Sequence, residues 1–178
     1  MRAVVVYESM YGNTHAIADA IGHGLAPIGQ VFVVPVGKAD PALLADADLV
    51  VAGGPTHVHG LTRASTRKAA VEAAAEPDKH LVVDDDAEGP GLREWLPSLA
   101  TTSAKAAAFD TRIDAPAVLT GRASKSIARQ LKACGFSIVA EPESFLVTKD
   151  SHLAAGEEER ARAWGGRLAA QVTSAAHA

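Results

Sequence analysis

Apolar residues in this chain fall in two rhythms that take turns. Ala3 to Tyr7 is an unbroken β-branched apolar run, which suits a strand buried on both faces. From Thr14 the spacing changes: Ile17, Ala20, Ile21 and Leu25 share one face of a helix, with Gly24 a nearby stop. Gln30 to Val36 (QVFVVPV) predicts a second strand, placed by Pro35 at a sheet edge or at its own end. Asp40 and Pro41 open a short helix over 42–45, and Asp48 to Gly53 (DLVVAG) predicts the third strand. A helix is expected from about Leu61 to Ala75, with Thr62 as its cap.

The segment from Glu76 to Gly91 is the least regular. It carries Pro77, the acidic run Asp84-Asp85-Asp86 with Glu88, and Gly89-Pro90-Gly91; Leu81 to Val83 fits a short extra strand as well as a loop. Leu92 to Leu99 reads as a short helix whose Trp95 and Leu96 seek the core. Lys105 to Phe109 predicts the fourth strand, ending in a loop at Asp110-Thr111-Arg112. Ala123 to Ala133 predicts a helix with Ile127, Leu131 and Cys134 on one face, stopped by Gly135. Phe136 to Ala140 and Ser144 to Val147 form a last strand, broken at Glu141-Pro142. The final helix starts after Gly156 with Glu157, Glu158 and Glu159 at its positive end, and buries Ala161, Trp164, Leu168 and Val172.

Five strands alternating with helices imply an α/β fold, a doubly wound parallel sheet in three layers. Ligands of such sheets bind beyond the strand C-termini, where the strand order reverses. The loops after strands one, three and four therefore deserve the closest reading: Glu8 to Thr14, Gly53 to Gly60, and Asp110 to Arg112.

Composition narrows the classes. At 178 residues, 48% hydrophobic, the chain suffices for one domain over 1–178 with a real core. A formal charge of −4 argues against a general nucleic-acid binder. No apolar run approaches membrane-spanning length, and Met1-Arg2 leads straight into the first strand without the pattern of a signal peptide. A single cysteine makes no internal disulfide, which fits a cytoplasmic setting.

The first loop, Ser9-Met10-Tyr11-Gly12-Asn13-Thr14, sits between a strand and a helix start. Such a loop delivers free backbone N–H groups at the positive end of the helix, a site for an anion. It has no lysine or arginine, and the GxxxxGK[ST] pattern of nucleoside-triphosphate binders is absent. Charge must be met by Ser9, Asn13 and Thr14 side chains and the main chain around Gly12. A low-molecular-weight phosphatase would need a cysteine and an arginine here, and the chain's one cysteine is Cys134. A response-regulator receiver would need paired acids, where only Glu8 stands. A dinucleotide fold would need GxGxxG opening the helix, but Gly22-His23-Gly24 lies at its far end.

Ser9 to Thr14 resembles the phosphate loop of the flavodoxin family, which holds the ribityl phosphate of FMN. Val51-Ala52-Gly53-Gly54-Pro55-Thr56-His57 is similar to that family's loop on one side of the flavin ring, and Ala108 to Arg112 to the loop on its other edge. The resemblance implies strand order 2-1-3-4-5 and FMN as cofactor, bound by Ser9, Met10, Tyr11, Gly12, Asn13, Thr14, Pro55, Thr56, His57, Val58, His59, Gly60, Asp110, Thr111 and Arg112. Electron-carrier flavodoxins sandwich the ring with Trp or Tyr in the two later loops; here those positions offer His57, Val58, His59 and Asp110 to Arg112.

Three function classes follow from that resemblance: an FMN protein of cellular electron transfer, an FMN-dependent NAD(P)H:quinone-type reductase, and a flavin-free binding module. The Ser9-Met10-Tyr11-Gly12 form is also similar to the phosphate loop of FMN-dependent quinone reductases. Arg112 near the pyrimidine end of a ring would favour its reduced, anionic form, whereas pairing with Asp110 or Asp114 is the plainer alternative. His57-Val58-His59 lines the flavin cavity in this reading rather than ligating a metal, and the Asp84 to Glu88 run is a solvated loop rather than a docking face. Cys134 serves as a small hydrophobe.

Overall fold

The β-branched runs form the sheet that their pattern predicts. In the computed structural model, which describes residues 1–57, 60–76 and 81–174, the strands are β1 (Arg2–Tyr7), β2 (Gln30–Pro35), β3 (Leu49–Pro55), β4 (Lys105–Ile113), β5 (Ser137–Ile138) and β6 (Glu143–Val147). Every ladder is parallel, in the order β2-β1-β3-β4-β5, and β6 also pairs with β4. The last strand is thus broken where Glu141-Pro142 interrupts it: β5 pairs with the start of β4 and β6 with its end. Pro35 ends the edge strand β2, opposite Tyr7.

Side-chain alternation sends the strands' residues to two cores. Ala3, Val5, Leu49, Val51, Ala107 and Phe109 pack under α1 (Asn13–Leu25) and α7 (Glu157–Ser174). Val4, Val6, Val50, Ala52, Ala106 and Ala108 face the other layer, with α4 (Leu92–Trp95) and α6 (Ala123–Ala133). Between these lie α2 (Pro41–Ala45), capped by Asp40 through Ala42 N at 2.6 Å, α3 (Ala64–Ala74) and the short α5 (Ala117–Thr120). Ala161, Trp164, Leu168 and Val172 are buried as their spacing predicts. Trp164 meets Phe109 and Phe145 edge-on, centroids 6.5 and 6.2 Å apart, and Phe109 meets Phe145 at 6.2 Å.

Several local expectations need correcting. Asp110-Thr111-Arg112 is not a loop: β4 runs on to Ile113 because β3 and β6 flank it on both sides, pairing Asp110 with Gly54 and Ser144. Residue 62 does not cap α3; the helix starts at Ala64, and the Thr62 hydroxyl goes instead to the buried Glu8 carboxylate. Gly24 does not stop α1, which continues through Leu25. Its missing side chain lets α7 approach, since a Cβ there would collide with the Arg162 carbonyl, and one at Gly165 with the Ile21 carbonyl. Leu81 to Val83 forms no strand, and Val82 is 80% exposed.

The edge made by β6 is closed by the first turn of α7. Glu157 accepts from Leu146 N at 2.7 Å and from Arg160 Nη2 at 2.6 Å, while Arg160 also reaches Glu143 and the Ser144 carbonyl and lies over the Phe145 ring at 4.4 Å. Burial would raise the Glu157 pKa, but the Arg160 and Leu146 hydrogen bonds and the Arg160 charge outweigh it and hold the group below the ordinary carboxylate value.

Two outcomes are expected. Gly165→Ala should lose about 1–3 kcal/mol in urea unfolding, because the added methyl meets main chain rather than a movable side chain; an unchanged midpoint would contradict the close α1–α7 contact. A carboxyl whose folded pKa is lowered stabilises above its unfolded value and loses that contribution as pH falls through the folded one. Stability of the native chain should therefore fall more steeply than that of Glu157→Gln below the ordinary value of 4.5. Parallel acid-denaturation curves would contradict the pairing.

Candidate functional site

The start of α1 lacks a side-chain cap. Its N-cap is Gly12, at φ +82, where a side chain would be strained and no capping oxygen exists. Ser9 Oγ accepts from Gly12 N at 3.1 Å and so serves the turn, leaving the first helical amides without partners inside the helix. Anions favour such a terminus through both its N–H groups and its dipole.

The loop is pinned on several sides. Thr14 Oγ1 and Thr111 Oγ1, both buried, lie 2.7 Å apart, which fastens the start of α1 to the end of β4. Two hydroxyls sharing one hydrogen bond leave one hydroxyl hydrogen uncommitted. Asn13 Nδ2 donates to Ser151 O at 2.8 Å, and Ser151 itself holds φ 60, a left-handed conformation unusual for a residue with a side chain. Tyr11 Oη donates to Ala70 O at 3.1 Å, and Asp84 N to Met10 O at 2.8 Å.

A shallow, open cleft of about 130 Å³ lies over these residues. Its walls bring together Met10, Tyr11, Asn13 and Thr14 from the first loop, Pro55, Thr56 and His57 from the end of β3, and Thr111 and Arg112 from β4. Ile113, Val147 and Ser151 complete it; the sequence reading missed these three, and only the predicted C-terminal end of the last strand hinted at Val147. Ser9, Gly12 and Gly60 stand behind the lining: Ser9 and Gly12 shape the turn, and Gly60 pairs with His57 through two backbone bonds of 2.8 and 3.0 Å. Val58 and His59 lie outside the described residues.

Asp110 is not brought to the cleft. Fully buried on the opposite face of β4, it accepts from Ser124 N at 2.7 Å and holds the start of α6, where Ala123 N also donates to Thr56 Oγ1 at 2.9 Å. Asp110 Oδ1 and Ser124 Oγ are buried without hydrogen bonds among the described residues. Arg112 pairs with neither Asp110 nor Asp114; its Nη1 reaches the Ala115 carbonyl at 2.6 Å and the Ile113 carbonyl at 3.3 Å, stabilising the turn into α5. Among the described residues it hydrogen-bonds to no carboxylate, although its charge helps to hold the Glu157 carboxyl below its ordinary pKa.

The acidic segment folds in rather than staying solvated throughout. The Asp84 side chain, 5% exposed, lies 3.2 Å from His15 Nδ1, and Lys38 pairs with Asp86 at 3.5 Å. His15 stacks on Tyr7 at 4.5 Å. Burial, and then the charges of Asp84 and Asp86, raise the Tyr7 pKa well above the phenol range. Among the described residues no group of three or more His, Cys, Asp or Glu is arranged to hold a metal ion. Nor is any helix among them long and apolar enough to cross a membrane.

A second network, invisible in the sequence, holds the lip after β3. Glu8, 6% exposed, accepts from the Thr62 hydroxyl and from Leu92 N at 2.8 Å. Arg67 Nη2 meets Glu94 Oε2 at 3.2 Å, and the same oxygen accepts from Gly91 N at 3.0 Å. Glu8 thereby joins the end of β1 to two segments far along the chain.

No family model and no curated protein matches the sequence. Solved structures do resemble it in fold. A flavodoxin from the domain Archaea superposes with TM-score 0.66 at 21% identity, covering 97% of this chain and 99% of its own. Oxidised flavodoxin 1 from Bacillus cereus gives TM-score 0.63 at 19% identity, covering 98% of both chains. A flavodoxin, WrbA-like protein from Agrobacterium tumefaciens gives 0.60 at 20% identity, covering 97% of this chain and 98% of its own. The three-layer architecture with order 2-1-3-4-5 is the flavodoxin-like fold.

Removing the Glu8 carboxylate leaves a buried hydroxyl and a buried N–H without their acceptor. Glu8→Ala is expected to cost about 2–3 kcal/mol in denaturant unfolding; a loss below about 0.5 kcal/mol, the range of an ordinary surface change, would contradict the network.

Proposed function

We propose that this chain, built on the flavodoxin-like fold, binds FMN in the cleft and serves in electron transfer. The observation that carries the reading is the convergence of an uncapped helix start with the ends of β3 and β4 on one cleft. The donor set suits a phosphate monoester: first-turn amides of α1 at Asn13 and Thr14, and the spare hydrogen of the Thr14–Thr111 hydroxyl pair. Neutral donors in fixed positions suffice to hold a phosphate, and the helix dipole adds to them. Flavodoxins, the proteins named among the similar folds, lend the cofactor class.

Pro55, Thr56 and His57 would flank the flavin ring on one side, and Thr111, Arg112 and Ile113 on the other. Tyr11 supplies an aromatic wall from the first loop, where the two later loops offer none among the described residues. The guanidinium of Arg112, held by backbone carbonyls, would favour negative charge on the ring. When bound, FMN supplies one- or two-electron transfer; the chain's own work is to bind, orient and set the local charge. An open cleft leaves a ring edge accessible to an electron donor or acceptor.

Titration of FMN against the purified protein, followed by flavin fluorescence, should show saturable one-to-one binding. Thr14→Val, similar in shape, should weaken it about ten-fold through loss of one hydrogen bond to a charged group. Absence of binding up to about 1 mM, the weak end of specific association, would overturn the reading.

A further inference from the structure

Beside the cleft, across His57, lies a separate hollow of about 300 Å³ lined by His57, Leu61, Arg63, Ser65, Thr66 and Arg93. We propose that it is an anion subsite, taking the phosphate or carboxylate group of a small redox substrate presented to the cleft. The redox part rests on the FMN reading above; the anion site does not.

Both arginines stand without a carboxylate among the described residues. Arg93 is held in place by two backbone carbonyls: its Nε donates to Thr62 O at 2.8 Å and its Nη2 to Leu61 O at 2.6 Å. These bonds orient the guanidinium without neutralising it. The Arg63 side chain makes no hydrogen bond or ion pair among the described residues; its backbone alone is engaged, N–H to Thr66 Oγ1 at 2.7 Å and carbonyl accepting from Thr66 and Arg67 N. Glu8 and Glu94 are engaged elsewhere, Glu8 with Thr62 and Leu92 N, and Glu94 with Arg67 and Gly91 N.

Arg63 and Arg93 thus bring two guanidinium groups, neither paired with a carboxylate among the described residues, to one small hollow. Their like charges repel, and an anion between them relieves that repulsion. The planar donor fork of arginine matches a carboxylate or phosphate. The first turn of α3 opens on the same hollow through Ser65 and Thr66; the Ser65 hydroxyl can donate there, whereas Thr66 N and Oγ1 both already donate to the Arg63 carbonyl, at 2.9 and 2.7 Å. A concave space of this volume suits a small molecule rather than the broad face of a protein. Since His57 lines both hollow and cleft, an anion seated here would place the rest of its molecule next to the proposed ring site.

Amide-resolved NMR with inorganic phosphate as the probe separates this site from the cleft. Saturable shifts are expected at Arg63, Ser65 and Thr66 and at the Arg93 Nε–H. Arg63→Gln should weaken them about ten-fold, for one lost charge-assisted bond, and leave the fold intact because the exposed side chain makes no hydrogen bond or ion pair among the described residues. Phosphate shifts at Asn13 and Thr14 report the cleft instead, so failure of either site is read independently. The proposal is overturned if Ser65 and Thr66 do not respond, or respond equally in Arg63→Gln. It is also overturned if they respond to a hexaglutamate peptide but not to phosphate, which would assign an acidic protein partner.

Discussion

A helix that begins without a cap has polar groups to satisfy, and here that deficit lies at the cleft beyond the ends of β3 and β4. Gly12 turns the chain from β1 into α1 in a conformation that glycine adopts without strain, and it brings no side-chain oxygen. Ser9, the nearest hydroxyl, is spent on the turn itself. The first amides of α1 are left for an acceptor from outside the helix. Around them the chain fixes position rather than neutralising charge: Thr14 is tied to Thr111, Asn13 to Ser151, and Met10 to Asp84. Donors held in this way need little rearrangement when an anion arrives, which is how preorganised sites gain affinity.

The sheet order supplies the space. β1 and β3 are neighbours, but α1 packs on one face and the helices α4 and α6 on the other, so the connections diverge beyond the strand ends. Gly53 lets the Phe109 ring lie against β3, where any Cβ at Gly53 would collide with it. On the far lip, Glu8 gathers Thr62 and Leu92 beneath the chain that leaves β3. The same region places Arg63 and Arg93 on a hollow where neither pairs with a carboxylate among the described residues.

Much of this was legible in the sequence because it depends on local pattern. Continuous apolar runs, β-branched in β1 to β3 and alanine-rich in β4, pointed to the strands, i to i+4 spacing to α1, α6 and α7, and the proline at Glu141-Pro142 to the break. What escaped depends on neighbours distant in sequence. Asp110 looked like a loop residue because β4 changes from apolar to polar there. Its ladder nevertheless continues, since β3 and β6 both extend beside it, and its polar side chain goes to the start of α6. Thr62 looked like a helix cap until a buried carboxylate from 54 residues away took its hydroxyl. Gly24 looked like a stop, but its lack of a side chain serves a helix much later in the chain, at Arg162. Ile113, Val147 and Ser151 carry no motif, and only the folded sheet brings them to the cleft.

The claim that the start of α1 is the anion-binding centre is tested most directly by amide hydrogen exchange at Asn13 and Thr14, with and without FMN. Exchange at these two amides should slow on adding FMN, while that of amides in the β1 core is unchanged. If FMN leaves both rates as they were, its phosphate does not rest on α1, and the account of the cleft is wrong.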